Sequence, residues 1–229
     1  RGEVRINSMG LRDYEHTIDK PSDTIRIAIL GASYAEARSV NLEETFWFKL
    51  GKKLKNCKPF HRGKKIEVIN FGVSEYGTTQ QYLTLKNHVW KYNPDLILLA
   101  FYSGNDISDN LKILSTKKYR PYFEFEGDNI KNIDKDYLKS KPYKILSSFY
   151  GQVFIKLSQY SRIAQLFRES YVQMYFASKR KSSLNLNKKV NKPEGNIYNP
   201  NDESWSKAWT ITEKIIKLIN KDVIEKDKE

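Results

Sequence analysis

Two short polar turns carry the residues of this chain best suited to covalent chemistry, and each follows a strongly apolar run. The run at 25–30 leads into Gly31-Ala32-Ser33, and the run at 96–101 leads into Ser103-Gly104-Asn105-Asp106. In an open α/β sheet, ligands bind just beyond the carboxyl ends of the strands. A serine on one such turn and an asparagine on another pair a nucleophile with a donor for a developing oxyanion. Between them lies a third loop of the same kind, Asn70-Phe71-Gly72-Val73-Ser74-Glu75-Tyr76-Gly77-Thr78, whose backbone can supply a further donor.

Ser33 sits in a tight turn with Gly31, where backbone N–H groups can converge on an oxygen. The turn is not the Gly-x-Ser-x-Gly elbow, because Ala35 stands at the last position, and no Gly-Lys-Ser/Thr follows to make a phosphate loop. Gly104 permits close backbone approach, Asn105 offers the amide, and Asp106 and Asp109 can brace the loop. A side-chain amide aimed at an oxyanion is worth about 3–4 kcal/mol in a transition state.

The elements that must position these turns alternate regularly. Near-continuous apolar residues at 25–30 predict a parallel strand covered on both faces, with further strands at 66–71 and 96–101. A helix is predicted over 42–55, opened by the capping-box spacing of Asn41 and Glu44, with Phe46, Leu50 and Leu54 on its apolar face. A second begins near Thr78 or Thr79, presents Tyr82, Leu85 and Val89, and ends at Asn93-Pro94-Asp95. This βαβαβ order predicts an α/β fold with a parallel, doubly wound sheet.

Residues 1–24 are expected to form an irregular lead-in, and 25–229 a single α/β domain carrying a hairpin and helical insertion at about 111–200. The hairpin is predicted at 122–130, and two helical segments over 142–178 meet near Tyr160-Ser161. A polar loop is predicted over 179–200, and a last helix from near Ser204 with Trp205, Ala208, Trp209, Thr212, Ile215, Ile216 and Ile219. Three strands make a small sheet for this many helices, so further strands are expected beyond Glu229. The first residue is Arg1, which fits a processed start or a fragment.

With 39% hydrophobic residues the chain can bury a core, and its apolar runs are far too short to span a bilayer. No transmembrane segment or signal peptide is evident, and Cys57 alone excludes an internal disulfide and a cysteine-built zinc site. No cofactor or metal is called for. The net charge of +13 is concentrated at 52–65, with seven Lys/Arg and no acid, and at 177–192, with six and no acid. Neither segment resembles a groove-reading helix or a stacking platform, so solvated loops are expected rather than a nucleic-acid partner.

Taken together, the three loops resemble the SGNH (GDSL-like) hydrolases. Gly31-Ala32-Ser33 is similar to the Gly-Asp-Ser block, 70–78 to the loop with the oxyanion glycine, and Gly104-Asn105-Asp106 to a shortened Gly-x-Asn-Asp block. The resemblance covers about residues 1–130. It implies a flavodoxin-like, three-layer α/β/α sheet, incomplete at its C-terminal side, and a serine hydrolase acting on carboxylic esters, such as O-acyl groups of glycans or lipids. Ser33 would be the nucleophile, and Asn105 would complete the oxyanion hole. The block-two donor would be the Glu75 N–H, with Gly72 or Gly77 as alternatives, and Gly31, Gly104 and Asp106 would support.

The sequence departs from that pattern in three ways. Ala32 replaces the usual Asp, Glu75 stands where the oxyanion glycine aligns, and no late Asp-x-x-His block is present, since His16, His61 and His88 all precede the third strand. Two alternatives therefore stand beside ester hydrolysis: O-acyl transfer to a cell-surface polysaccharide, and a non-catalytic SGNH-like binding protein. Bacterial relatives implied by the resemblance are often exported or envelope-associated, which does not fix the compartment of this chain.

Overall fold

A computed structural model describes residues 4–115, 120–139, 141–167, 170, 171, 174 and 202–226. Its centre is a parallel sheet of β1 (Thr24–Gly31), β2 (Lys65–Asn70) and β3 (Leu96–Ala100) in the order β2-β1-β3. Gly31 pairs in register with Ala100, and Ile29 with Asn70, so all three strands end at one edge.

The apolar run of β1 divides by parity, as the period of a strand requires. Ala28 and Leu30 pack with Tyr82, Leu85, Ile211 and Ile215, which come from α4 (Thr78–Asn87) and α7 (Glu203–Glu225). Ile27 and Ile29 face the opposite way and pack with Leu42, Trp47 and Ile66. Helices thus cover both faces, and the chain is a mixed α/β protein. No helix among the described residues is long and apolar enough to cross a membrane.

The helix expected over 42–55 is divided in two. A short 3₁₀ turn, Leu42–Glu44, precedes α2 (Phe46–Lys55), because Thr45 is extended and its side chain accepts from the Phe48 N–H to cap the new helix. The Glu44 carboxylate does accept from the Asn41 N–H, at 3.0 Å. The later start rotates the buried face onto Trp47 and Gly51, with Phe48 and Leu54 half-buried against the same cluster, and leaves Phe46 41% exposed. Gly51 is required there: a Cβ would stand 2.9 Å from Val68 Cγ2.

The hairpin forms as β4 (Tyr122–Glu126) and β5 (Asn129–Asp134), turned by Gly127 at φ 57°. The following helices break earlier than the sequence suggests. After α1 (Ser33–Glu36) and α3 (Lys58–His61) near the sheet come α5 (Lys141–Ser147) and α6 (Phe149–Tyr160), separated at Ser148. A second break does fall at Ser161, where the backbone is extended. The predicted loop at 179–200 lies outside the described residues.

Among the described residues before Thr24 there is no helix or strand, but the lead-in is not peripheral. Arg12 and Asp13 are each 1% exposed. The Arg12 guanidinium donates to the carbonyls of Glu36, Ala37 and Val40 at 2.7, 2.8 and 2.5 Å, and Asp13 Oδ2 accepts from the Asn70 N–H at 2.7 Å. These bonds tie residues before β1 to the loops at the sheet's carboxyl edge.

Candidate functional site

Ser33 is the first residue of α1, directly after β1, and is exposed. Asn105 follows β3 and is half-buried. The turns that hold them leave adjacent, paired strands, and they touch: the rings of Tyr34 and Tyr102 lie 4.7 Å apart. The sheet therefore brings the Ser33 and Asn105 turns together.

The third loop closes against both. Its first residues continue along β1, with the Phe71 N–H donating to Ile29 O at 2.9 Å and the Val73 N–H to Gly31 O at 3.2 Å. A Cβ on Gly72 would overlap Ala35 and stand 2.9 Å from the Glu36 nitrogen; one on Gly77 would stand 2.9 Å from Asp109 Cβ. Both glycines are therefore demanded by close packing. Of the three block-two candidates, Glu75 alone has a positive φ, 69°. That conformation costs a non-glycine residue about 1–2 kcal/mol. Arg120 donates to the Glu75 carbonyl and so helps hold the strained peptide, while the Glu75 side chain is exposed.

Asp106 is fully buried and folds the Asn105 turn onto itself. Its Oδ2 accepts from the Tyr102 N–H at 2.9 Å, and its own N–H donates to Tyr102 O at 3.0 Å. Burial pushes its carboxyl up to about 6, against the stabilising bonds from Tyr102 and Gln81, and nearby Asp109 adds to the rise. The Asn105 amide donates to Asp109 Oδ2 at 2.9 Å and to Asp106 Oδ1 at 3.3 Å. Asp109 is itself paired with Arg120 at 2.5 Å. The bracing expected of Asp106 and Asp109 is present, and in this arrangement the amide is directed at carboxylates.

Other residues that hold the edge carry no local sequence signal. Glu36 is buried; its carboxylate accepts from the Ser74 N–H at 2.8 Å and from Arg38 at 2.6 Å. Burial would raise its pKa, but these donors outweigh it and hold the carboxyl below the ordinary range. Asn110, 1% exposed, donates to Thr78 and Thr212 and accepts from the Thr79 N–H, all within 3.0 Å. It joins the third loop, the Asn105 turn and α7 through one side chain.

None of the three histidines stands on the Ser33 turn, the third loop or the Asn105 turn. His16 lies beside β2, with Nδ1 2.7 Å from Glu67 Oε1 and Nε2 3.2 Å from Asp13 Oδ2. His88 caps the far end of α4, about 15 Å of helix from Thr78. His61 ends α3, which feeds the amino end of β2. A cavity of about 480 Å³ adjoins the edge, lined by Glu75, Tyr76, Gln80, His88, Arg120 and Tyr137, but not by Ser33 or Asn105. Among the described residues no group of three or more His, Cys, Asp or Glu could hold a metal ion. No family model, no curated protein and no solved structure matches this chain.

Proposed function

We propose that this chain carries the nucleophile and oxyanion elements of an SGNH-type serine hydrolase acting on carboxylic esters. The observation that carries the reading is the meeting of three loops at one carboxyl edge, with Ser33, Asn105 and the left-handed Glu75 on them. The order β2-β1-β3 is also the beginning of the flavodoxin-like order 2-1-3-4-5.

In this reading Ser33 Oγ attacks the ester carbonyl, and the carbonyl oxygen gains the negative charge. Backbone N–H groups at Ser33 and Glu75, together with the Asn105 amide, receive that charge. Asn105 does so by exchanging its longer contact, 3.3 Å to Asp106, for the oxyanion. Collapse of the tetrahedral intermediate expels the alcohol and leaves an acyl-serine, which water then hydrolyses. The three loops themselves carry no histidine, so the base that takes the Ser33 proton comes from outside them. Transfer of the acyl group to a sugar hydroxyl uses the same residues and differs in the final acceptor.

The non-catalytic reading draws on one specific observation: the carboxylates of Asp109 and Asp106 engage the Asn105 amide. Hydrolysis of p-nitrophenyl acetate by the longest natural form of the protein separates the two. Turnover lost in Ser33→Ala and reduced roughly 100-fold or more in Asn105→Ala supports the hydrolase. Absence of turnover, or turnover that survives Ser33→Ala, refutes it.

A further inference from the structure

Helix α6 is inside out. Its small residues Gly151 and Ser158 are buried, and a Cβ on Gly151 would collide with the backbone of Ile145 and Leu146 in α5. Its large apolar residues point away: Phe149, Tyr150, Val153, Phe154, Leu157 and Tyr160 are all exposed, Tyr160 to 90%. At 100° per residue these six fall within an arc of about 140°, a broad continuous stripe. The stripe continues past Ser161, where Ile163, Leu166 and Phe167 are 64–69% exposed. Single exposed apolar residues are ordinary, but a contiguous patch of this kind marks an interaction surface.

The charge around the stripe selects the partner. Residues 141–167 contain Lys141, Lys144, Lys156 and Arg162, and no Asp or Glu. Tyr143, Tyr150 and Tyr160 add rings with one polar end, suited to a boundary between hydrocarbon and water. α6 has 12 residues, about 18 Å of helix, well short of the roughly 30 Å of a bilayer core. A short helix with an outward apolar stripe and only cations beside it has the makeup of an interfacial element that lies on a membrane.

We infer that α5, α6 and the helical stretch at 162–167 dock the protein on an anionic lipid bilayer. The stripe enters the boundary between headgroups and acyl chains, and the four cations meet lipid phosphates. This assignment is independent of the chemistry proposed for Ser33.

Sedimentation of the full chain with vesicles tests it, using phosphatidylcholine alone or with one quarter phosphatidylglycerol. The expected result is binding to the anionic vesicles that is about tenfold or more tighter than to the neutral ones and weakens as salt is raised. Leu157→Asp abolishes binding. The pair Lys144→Gln and Lys156→Gln leaves the stripe intact and weakens binding about 25-fold, at about fivefold per charge. All these positions are exposed, and an unchanged far-ultraviolet circular dichroism spectrum verifies that the variants are folded. Failure to bind either vesicle overturns the inference, as does equal binding to both or binding that survives Leu157→Asp. A dimer in analytical ultracentrifugation that Leu157→Asp disperses, without lipid binding, assigns the stripe to a second copy of the chain instead.

Discussion

The ring of Tyr34 rests against that of Tyr102, with centroids 4.7 Å apart and planes tilted by 54°. One ring immediately follows Ser33 and the other immediately precedes Ser103, so the pair sets the separation of the two turns. Both rings are exposed, Tyr34 to 63% and Tyr102 to 42%, so little of their worth is burial. A double-mutant cycle of Tyr34→Ala and Tyr102→Ala in urea is expected to give a coupling energy of about 0.5–1.5 kcal/mol. A coupling indistinguishable from zero would mean that the rings do not brace the turns.

Arg12 is predicted to be among the most sensitive positions of the chain. Its guanidinium satisfies the carbonyls of Glu36, Ala37 and Val40 from within the protein. Arg12→Ala leaves these groups short of donors and is expected to lower the unfolding free energy by about 3–5 kcal/mol. Arg12→Lys should recover only part of this, since one ammonium cannot reproduce the planar fork. Equilibrium denaturation of both variants decides the matter.

His16 makes the fold sensitive to alkali. Burial alone would lower its pKa, but the hydrogen-bonded carboxylates of Asp13 and Glu67 outweigh burial and push it up to about 9. The folded value therefore lies above the ordinary 6.5 of a histidine. The stabilisation is complete below pH 6.5, declines between 6.5 and 9, and is gone above 9. It amounts to on the order of 2–3 kcal/mol. Thermal melts across this range should show the decline, and His16→Gln should flatten it.

Glu75 is held in a conformation that glycine adopts freely. Glu75→Gly should relieve the strain at φ 69° and raise stability by about 0.5–1 kcal/mol after the entropy lost by glycine is subtracted. Glu75→Ala keeps a Cβ and should bring no such gain. Urea midpoints of the two variants provide the comparison, and equal midpoints would show that the backbone is unstrained there.

The strands and the edge they build were legible because a parallel strand covered on both faces leaves an unbroken apolar run. The sequence of 25–30 states this directly, and alternate residues do pack on opposite layers. Helix α2 was harder: Phe46, Leu50 and Leu54 have the right spacing, yet Thr45 starts a new helix and turns Trp47 inward instead. Arg12, Asp13 and Asn110 look like surface residues locally, because what buries them is a set of partners 24 to 102 positions away. The orientation of the Asn105 amide likewise depends on Asp109 and its partner Arg120, whose meeting is a product of the folded loops.

Strand β3 pairs with β1 along one side, and among the described residues no strand pairs with the other. Its five residues, Leu96 to Ala100, include no charge and no proline, and all are only partly covered. An outer strand of this makeup can accept a further strand along its open side. In the sheet order proposed above, that open side of β3 is where the next strand would add, with Leu98 at its middle.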